Sequence, residues 1–172
     1  DNVRADFGTD SDLRIFHDSS NSYIQSSGTG DIIIQQRGDD KDIVFQSDDG
    51  SGGVATYMYL DGSITETRFT KPTRHDDGVI AKFGNGNDLN IYHDGSNSYI
   101  KDLGTGTLNI QGSSVLNIGG TNGEIGFQYT ENAGVALRHN NIVKFATEST
   151  GVTVTGDLTV SANLIVNGTT TT

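Results

Sequence analysis

The sequence predicts a repetitive, all-β protein that is completed by oligomerisation. Strand-like segments of four to seven residues recur along the chain, separated by Gly, Asn or Asp, and none shows a 3.6-residue apolar period. Gly occurs 23 times, Ala seven times and Met once, so turn formers are in excess over helix formers. Only 33% of the residues are hydrophobic, which predicts a slim core.

The charge balance excludes two classes of partner. The formal net charge is −11, and such an acidic chain repels phosphate backbones and anionic membranes, so we expect neither nucleic-acid binding nor membrane insertion. No apolar run approaches the roughly 18 residues of a membrane span, and the N-terminus has no signal-peptide core. With no cysteine, the chain forms neither disulfides nor thiolate metal sites.

The chain contains an internal duplication that sets its organisation. Residues 6–35 align with residues 82–111 at a constant offset of 76, without a gap and with 17 identities in 30 positions. A repeat at fixed spacing indicates stacked units that do not bury their apolar faces alone.

The duplication and the sequence after it divide the chain into predicted regions. We predict a first β repeat unit with a linker over 1–81, a second unit over 82–150, a possible decayed third unit over 125–150, and a Thr/Val-rich β-strand tail over 151–172. The linker includes the basic stretch "TKPTRHDDG" at 70–78, which is interpreted as an exposed connection. Contact with a sialylated or sulfated receptor is the alternative.

The strand signals in the second unit and the tail are specific enough to place. They are "DLNIYHD", "NSYI", "TLNIQ", "VLNIG", "EIGFQYT", "VALRH" and "IVKFA". In the tail, apolar residues alternate with polar ones from Val152 to Val166, which predicts strands with one buried face.

The centre of each repeat is a decamer, "IFHDSSNSYI" at 15–24 and "IYHDGSNSYI" at 91–100, which predicts strand, turn, strand. The turn residues are Asp18 and Asn21 in the first copy and Asp94, Gly95 and Asn97 in the second. Because Ser19 replaces Gly95 in the first copy, we expect that this position does not require positive φ.

The histidines of the repeats share the parity of the aliphatic residues. His17 follows Leu13 and Ile15, and His93 follows Leu89 and Ile91 at the same spacing, while His139 takes the corresponding place in the possible third unit. We interpret them as inward positions that fix the register. A threefold cluster of imidazoles that holds a metal ion or an anion is the alternative.

The decamer carries a family resemblance. "DLNIYHDGSNSYI" resembles repeats in tail-fibre and other structural proteins of marine and cyanobacterial tailed phages, and "GVTVTGDLTVSANLIVNGTTTT" resembles Thr/Val/Gly segments of the same proteins. The resemblance covers residues 6–35, 82–111 and 151–172. It implies an elongated, β-prism-like or β-helix-like, intertwined homotrimer in the virion, which joins other fibre or baseplate proteins and links the particle to a host cell-surface receptor.

The alternatives to a virion fibre are an extracellular adhesin or filament subunit, a calcium-binding β-roll and an enzyme. A secreted bacterial adhesin or extracellular filament subunit shares the same composition. A calcium-binding β-roll is suggested by "FGNGNDLNI" at 83–91, but no nine-residue tandem exists. Enzymatic motifs are missing and the acidic residues lie in turn contexts, so we expect no catalysis and no cofactor.

Overall fold

The computed structural model describes residues 3–168, and these residues form strands and loops without any helix. No membrane-spanning helix is therefore present in that part of the chain. The fourteen strands are β1 (Arg4–Phe7), β2 (Leu13–His17), β3 (Ser22–Ser26), β4 (Ile43–Asp48), β5 (Val54–Asp61), β6 (Glu66–Phe69), β7 (Ala81–Phe83), β8 (Leu89–His93), β9 (Ser98–Asp102), β10 (Val115–Gly119), β11 (Ile125–Thr130), β12 (Gly134–His139), β13 (Ile142–Glu148) and β14 (Gly151–Val154).

The strands form four small sheets, and in each sheet the strands lie in chain order. The orders are β1-β2-β3, β4-β5-β6, β7-β8-β9 and β10-β11-β12-β13-β14. Neighbouring strands pair antiparallel in the sheets β1-β2-β3, β4-β5-β6 and β10-β11-β12-β13-β14 and between β7 and β8, as expected for strands joined by short turns. The prediction of an all-β fold is confirmed, and no closed barrel or solenoid is found within residues 3–168.

Two compact units divide the chain. The first comprises Asp1–Val79 together with Tyr92–Ser96, and the second comprises Ile80–Ile91 together with Asn97–Thr172. The sheets β1-β3 and β4-β6 lie in the first unit, and the five-stranded sheet lies in the second.

The sequence duplication is also a structural duplication. In β1-β2, Ala5 pairs with Ile15 and Phe7 with Leu13. In β7-β8, the pairs are Ala81 with Ile91 and Phe83 with Leu89, which are the same positions moved by 76 residues. The two repeats therefore both fold into three-stranded sheets, and their first two strands pair in the same register.

A single chain has no hydrophobic core among the residues described. No hydrophobic side chain is buried there, and the total accessible surface is 14352 Å². A compact monomer of 18.3 kDa exposes about 8,100 Å². The chain thus exposes about 6,200 Å² more than a self-contained domain of its mass.

Some predicted strands are not formed within the chain. "TLNIQ" at 107–111 carries no strand, and neither does the corresponding segment 31–35 of the first repeat. In the tail only β14 is a strand, and residues 155–166, where the alternation predicts further strands, form none in the single chain. The tail's last predicted residues, 169–172, lie outside the described residues. The physical reason is that a strand needs a row of backbone hydrogen bonds to a neighbour. Residues 31–35 and 107–111 make none, and within residues 155–168 only the Thr155 N–H donates to a backbone carbonyl, that of Lys144 at 2.9 Å.

Candidate functional site: the duplicated hairpin

The first decamer is a hairpin whose turn is closed by Asp18. Its backbone N–H donates to the carbonyl of Asn21 at 3.0 Å. Its side-chain Oδ1 accepts from the backbone N–H groups of Ser20 at 3.0 Å and Asn21 at 2.8 Å, while Oδ2 accepts from the Tyr23 hydroxyl at 3.0 Å. Hydrogen bonds from Asn21, Ser20 and Tyr23 hold the pKa of Asp18 below its usual value, so its carboxylate serves as a charged acceptor at neutral pH.

The second decamer repeats this geometry. Asp94 Oδ1 accepts from the backbone N–H of Ser96 at 2.9 Å, as Asp18 Oδ1 does from Ser20. Gly95 has φ +94°, and the equivalent Ser19 has φ +81°. The aspartate and the position after it therefore serve the same turn in both copies.

The positive φ of Ser19 corrects an expectation. Replacement of Gly95 by Ser19 suggested that the position does not need positive φ, but both residues adopt it. The turn geometry is fixed by the hydrogen bonds to Asp18, and the serine accepts an unfavourable backbone conformation to satisfy them. The glycine in the aligned copy was the signal in the sequence that pointed to this outcome.

Exchanging the residues between the two copies should change the stability in opposite directions. We expect Ser19→Gly to raise the free energy of unfolding by about 0.5–1 kcal/mol, because glycine adopts positive φ without the steric cost. Gly95→Ser should lower it by a similar amount. The nearest atom to an added Cβ at Gly95 is Asp77 Oδ2 at 3.6 Å, so the effect there is conformational. Urea unfolding of both variants measures the two changes, and equal signs would contradict the turn assignment.

The three predicted histidines occupy the ends of strands. His17 ends β2, lies opposite Ser22, and has its Nδ1 3.2 Å from Ser22 Oγ. His93 ends β8, and its carbonyl accepts from the Gly78 N–H at 2.8 Å. His139 ends β12 but precedes a two-residue turn, with Asn140 and Asn141 both at positive φ, and this turn differs from the Asp-closed turn of the decamers.

The first repeat sheet has two chemically different faces. Residues that lie opposite each other on neighbouring strands share a face. One face, the first aliphatic face, carries Ala5, Phe7, Leu13, Ile15, His17, Ser22, Ile24 and Ser26. Its largest side chains stay accessible in the single chain: Phe7 is 51%, Ile15 47% and Ile24 64% exposed. This face places His17 with the aliphatic residues, as its parity predicts.

The opposite face of the same sheet is stabilised within the chain. The rings of Phe16 and Tyr23 stack at a centroid distance of 4.8 Å. Asp6 Oδ2 lies 2.8 Å from Arg4 Nε, and Asp6 Oδ1 lies 3.9 Å from Arg14 Nε. Its charged and aromatic groups therefore have partners in the same chain, whereas the aliphatic side chains of the other face stay accessible.

The second repeat sheet presents the equivalent face. Leu89, Ile91 and His93 alternate on β8, and Ala81 and Phe83 lie opposite Ile91 and Leu89. Phe83 is 51% and Ile91 42% exposed, close to the values of their counterparts in the first repeat. We call this set, with Ile100 at the position of Ile24, the second aliphatic face.

The five-stranded sheet has an apolar face as well. One row of paired residues runs across it, formed by Ile118, Phe127, Leu137, Phe145 and Val154. Of this row, Ile118 is 61% and Leu137 44% exposed. On the other face the amide of Gln128 donates to Asn117 Oδ1 at 3.0 Å and accepts from Arg138 Nη2 at 2.7 Å. This sheet therefore also has one apolar face that is open to solvent and an opposite face whose polar side chains are hydrogen-bonded to each other.

The geometry gives the decamer a structural explanation. Within residues 3–168, no three side chains of His, Cys, Asp or Glu come together in a group that could hold a metal ion. His17, Asp18, Asn21 and Tyr23 make hydrogen bonds inside their own hairpin. The bond from Tyr23 to Asp18 was missed from the sequence, although the Asp-to-Tyr spacing occurs in both copies.

Comparison of the chain with protein-family models, with curated proteins and with solved structures finds no match.

Proposed function

We propose that this chain is a structural and adhesive segment of a phage tail fibre or related virion fibre, formed by three copies of the chain. The elongated, intertwined β-prism-like or β-helix-like assembly joins other fibre or baseplate proteins and links the particle to a host cell-surface receptor. In this proposal the chain performs no catalysis and needs no cofactor. The proposal is supported by the resemblance of the repeats to phage fibre proteins and by the lack of a hydrophobic core among the described residues of the single chain.

The main observation in favour of assembly is that no hydrophobic side chain is buried among the described residues of the single chain. The excess exposed surface of about 6,200 Å² per chain is several times the roughly 800 Å² that each partner buries in a standard interface. Obligate oligomers bury areas of this larger size. Burial of apolar surface contributes about 25 cal/mol for each Å² removed from water, which supplies a strong driving force for association.

The aliphatic faces give the assembly its contact surfaces. Phe7, Ile15 and Ile24 in the first repeat, and Phe83, Ile91 and Ile100 at the equivalent sequence positions of the second, are all exposed in the single chain. Identical faces repeated along a chain suit an assembly in which copies run side by side, because each face meets its equivalents on the neighbouring copies. In such an assembly His17 and His93 are covered by other copies, and they fix the register of their strands.

The oligomeric state tests this proposal directly. Light scattering of purified protein is expected to give three chains, about 55 kDa from three times 18.3 kDa, independent of concentration. A folded monomer at micromolar concentration would contradict the proposal. A mass that grows with concentration would instead support the secreted adhesin or filament subunit.

Localisation is tested on the particle that carries the protein. An antibody raised against the chain is expected to label tail fibres in electron micrographs of that particle. Labelling of a bacterial surface in the absence of virions would overturn the virion assignment and leave the filament alternative.

A further inference from the structure

Two segments at equivalent positions in the repeats lack strand partners in their own chain. They are residues 31–35, "DIIIQ", and residues 107–111, "TLNIQ", and we call them the unpaired segments. Among the described residues, no backbone–backbone hydrogen bond includes a residue of either segment. Apart from the Thr107 carbonyl, which accepts from the Asn109 side-chain amide at 3.4 Å, their N–H and C=O groups have no hydrogen-bond partner within the described residues, which makes them available for pairing.

The composition of the unpaired segments favours a β-strand. Ile33 is 80% and Ile34 64% exposed, and in the second segment Leu108 is 40% and Ile110 60% exposed. Leu, Ile and Thr in short runs bounded by Gly are typical of strands. Several accessible aliphatic side chains so close together are rare on the surface of a fully assembled protein. Both segments thus have the chemistry of strands without the hydrogen bonds of strands.

Each unpaired segment borders an open groove beside the next sheet along the chain. Ile34 and Gln35 line one groove with residues of β4, β5 and their surroundings: Gln36, Lys41, Ile43, Leu60, Asp61 and Gly62. Ile110 and Gln111, their counterparts at an offset of 76, line the other with Gly112, Ser113, Leu116, Phe127, Tyr129 and Glu131. The same two positions of the repeat therefore border a groove in each unit.

We propose that the unpaired segments form strand pairs with other copies of this chain, and that the adjoining grooves are filled as the copies assemble. The inference rests on the proposed oligomer, and it identifies the backbone segments through which the copies pair. A second copy fits these segments because the chain exposes about 6,200 Å² too much surface for a monomer of its mass. The net charge of −11 opposes association of copies, but residues 107–111 contain no charged side chain and residues 31–35 contain only Asp31, so pairing at these segments adds little repulsion.

Backbone hydrogen exchange provides the first test. In assembled protein, the amides of Ile33, Ile34 and Ile110 are expected to exchange at least about 100-fold more slowly than that of Gly52 in the β4-β5 turn. If the protein is a trimer by mass and these amides exchange as fast as the Gly52 amide, the pairing is wrong while the oligomer stands. A monomer by mass would remove the proposed function itself.

Cross-linking then separates pairing between copies from pairing within one chain. The chain has no cysteine, so Ile110→Cys can be labelled with a thiol-reactive photo-crosslinker at one site, and Ser51→Cys serves as the matched control. In a mixture of 15N-labelled and unlabelled chains, Ile110→Cys should give cross-linked peptides of mixed isotope content, and Ser51→Cys should give few. Cross-links confined to one isotope, or to a protein other than this chain, would overturn the proposal.

Discussion

Ile24→Asp is expected to prevent assembly of the oligomer. Ile24 lies in β3 opposite Ile15 on the first aliphatic face and is 64% exposed in a single chain. If this face is covered by other copies, the substitution places an unpaired carboxylate in an apolar contact once per chain. Burying such a charge costs about 3 kcal/mol or more for each copy. Light scattering should therefore show loss of the trimer at concentrations where the parent chain is fully assembled.

The neighbouring residue provides a matched control. Gln25 lies in the same strand, pairs with Arg14, and points to the opposite face, so Gln25→Asp adds the same charge where the chain is not expected to be covered. We expect Gln25→Asp to remain trimeric with a stability within about 0.5 kcal/mol of the parent. Equal behaviour of the two variants would show that the aliphatic face does not lie in the interface.

Gly119→Ala is expected to destabilise the five-stranded sheet by about 2–3 kcal/mol. Gly119 ends β10 at a register shift, where a Cβ would overlap the carbonyl oxygen of Glu124 and lie 3.1 Å from the Cα of Ile125. These are backbone atoms, so relief requires movement of the strand. That movement would strain the hydrogen bond from the Gly120 N–H to the Glu124 carbonyl, which is 2.8 Å long. Urea unfolding followed by circular dichroism measures the loss.

Gly126→Ala is the control for this substitution. Gly126 is the residue of β11 left unpaired at the same register shift, and an added Cβ would meet only the Ile118 carbonyl oxygen at 3.7 Å, an ordinary contact. Alanine in a strand interior loses less conformational freedom on folding than glycine, so this variant should be as stable as the parent or up to about 1 kcal/mol more stable. A loss equal to that of Gly119→Ala would mean that glycine content, and not the close approach, determines the stability.

Local signals in the sequence predicted much of the fold. The two decamers predicted strand, turn and strand, and the structure forms β2-β3 and β8-β9 at those positions. Asp18 and Asn21 were identified as turn residues because short polar side chains hydrogen-bond to nearby amides, and both take part in the turn. Such features depend on residues close in sequence, and sequence patterns record them well.

Features that depend on distant partners were not predictable in the same way. Residues 107–111 and 155–168 have strand-like composition, but whether they pair depends on a neighbour that the pattern does not identify. Period-2 alternation places His17 on the same face as Leu13 and Ile15, but it does not predict which of the two faces of the sheet has partners within the same chain. The stacking of Phe16 on Tyr23 gives the opposite face its partners within the chain. Alternation alone does not contain that information.

The hydrogen bonds that side chains make in the first decamer join residues at most five positions apart, such as His17 with Ser22 and Asp18 with Tyr23. Contacts this local require little loop closure, and hairpins of this kind form in about 1–10 μs. Meeting of separate chains takes milliseconds to minutes and slows on dilution. If the chains assemble as proposed, each nascent chain carries its hairpins already formed, and the concentration-dependent encounter of chains sets the rate at which the assembled protein accumulates.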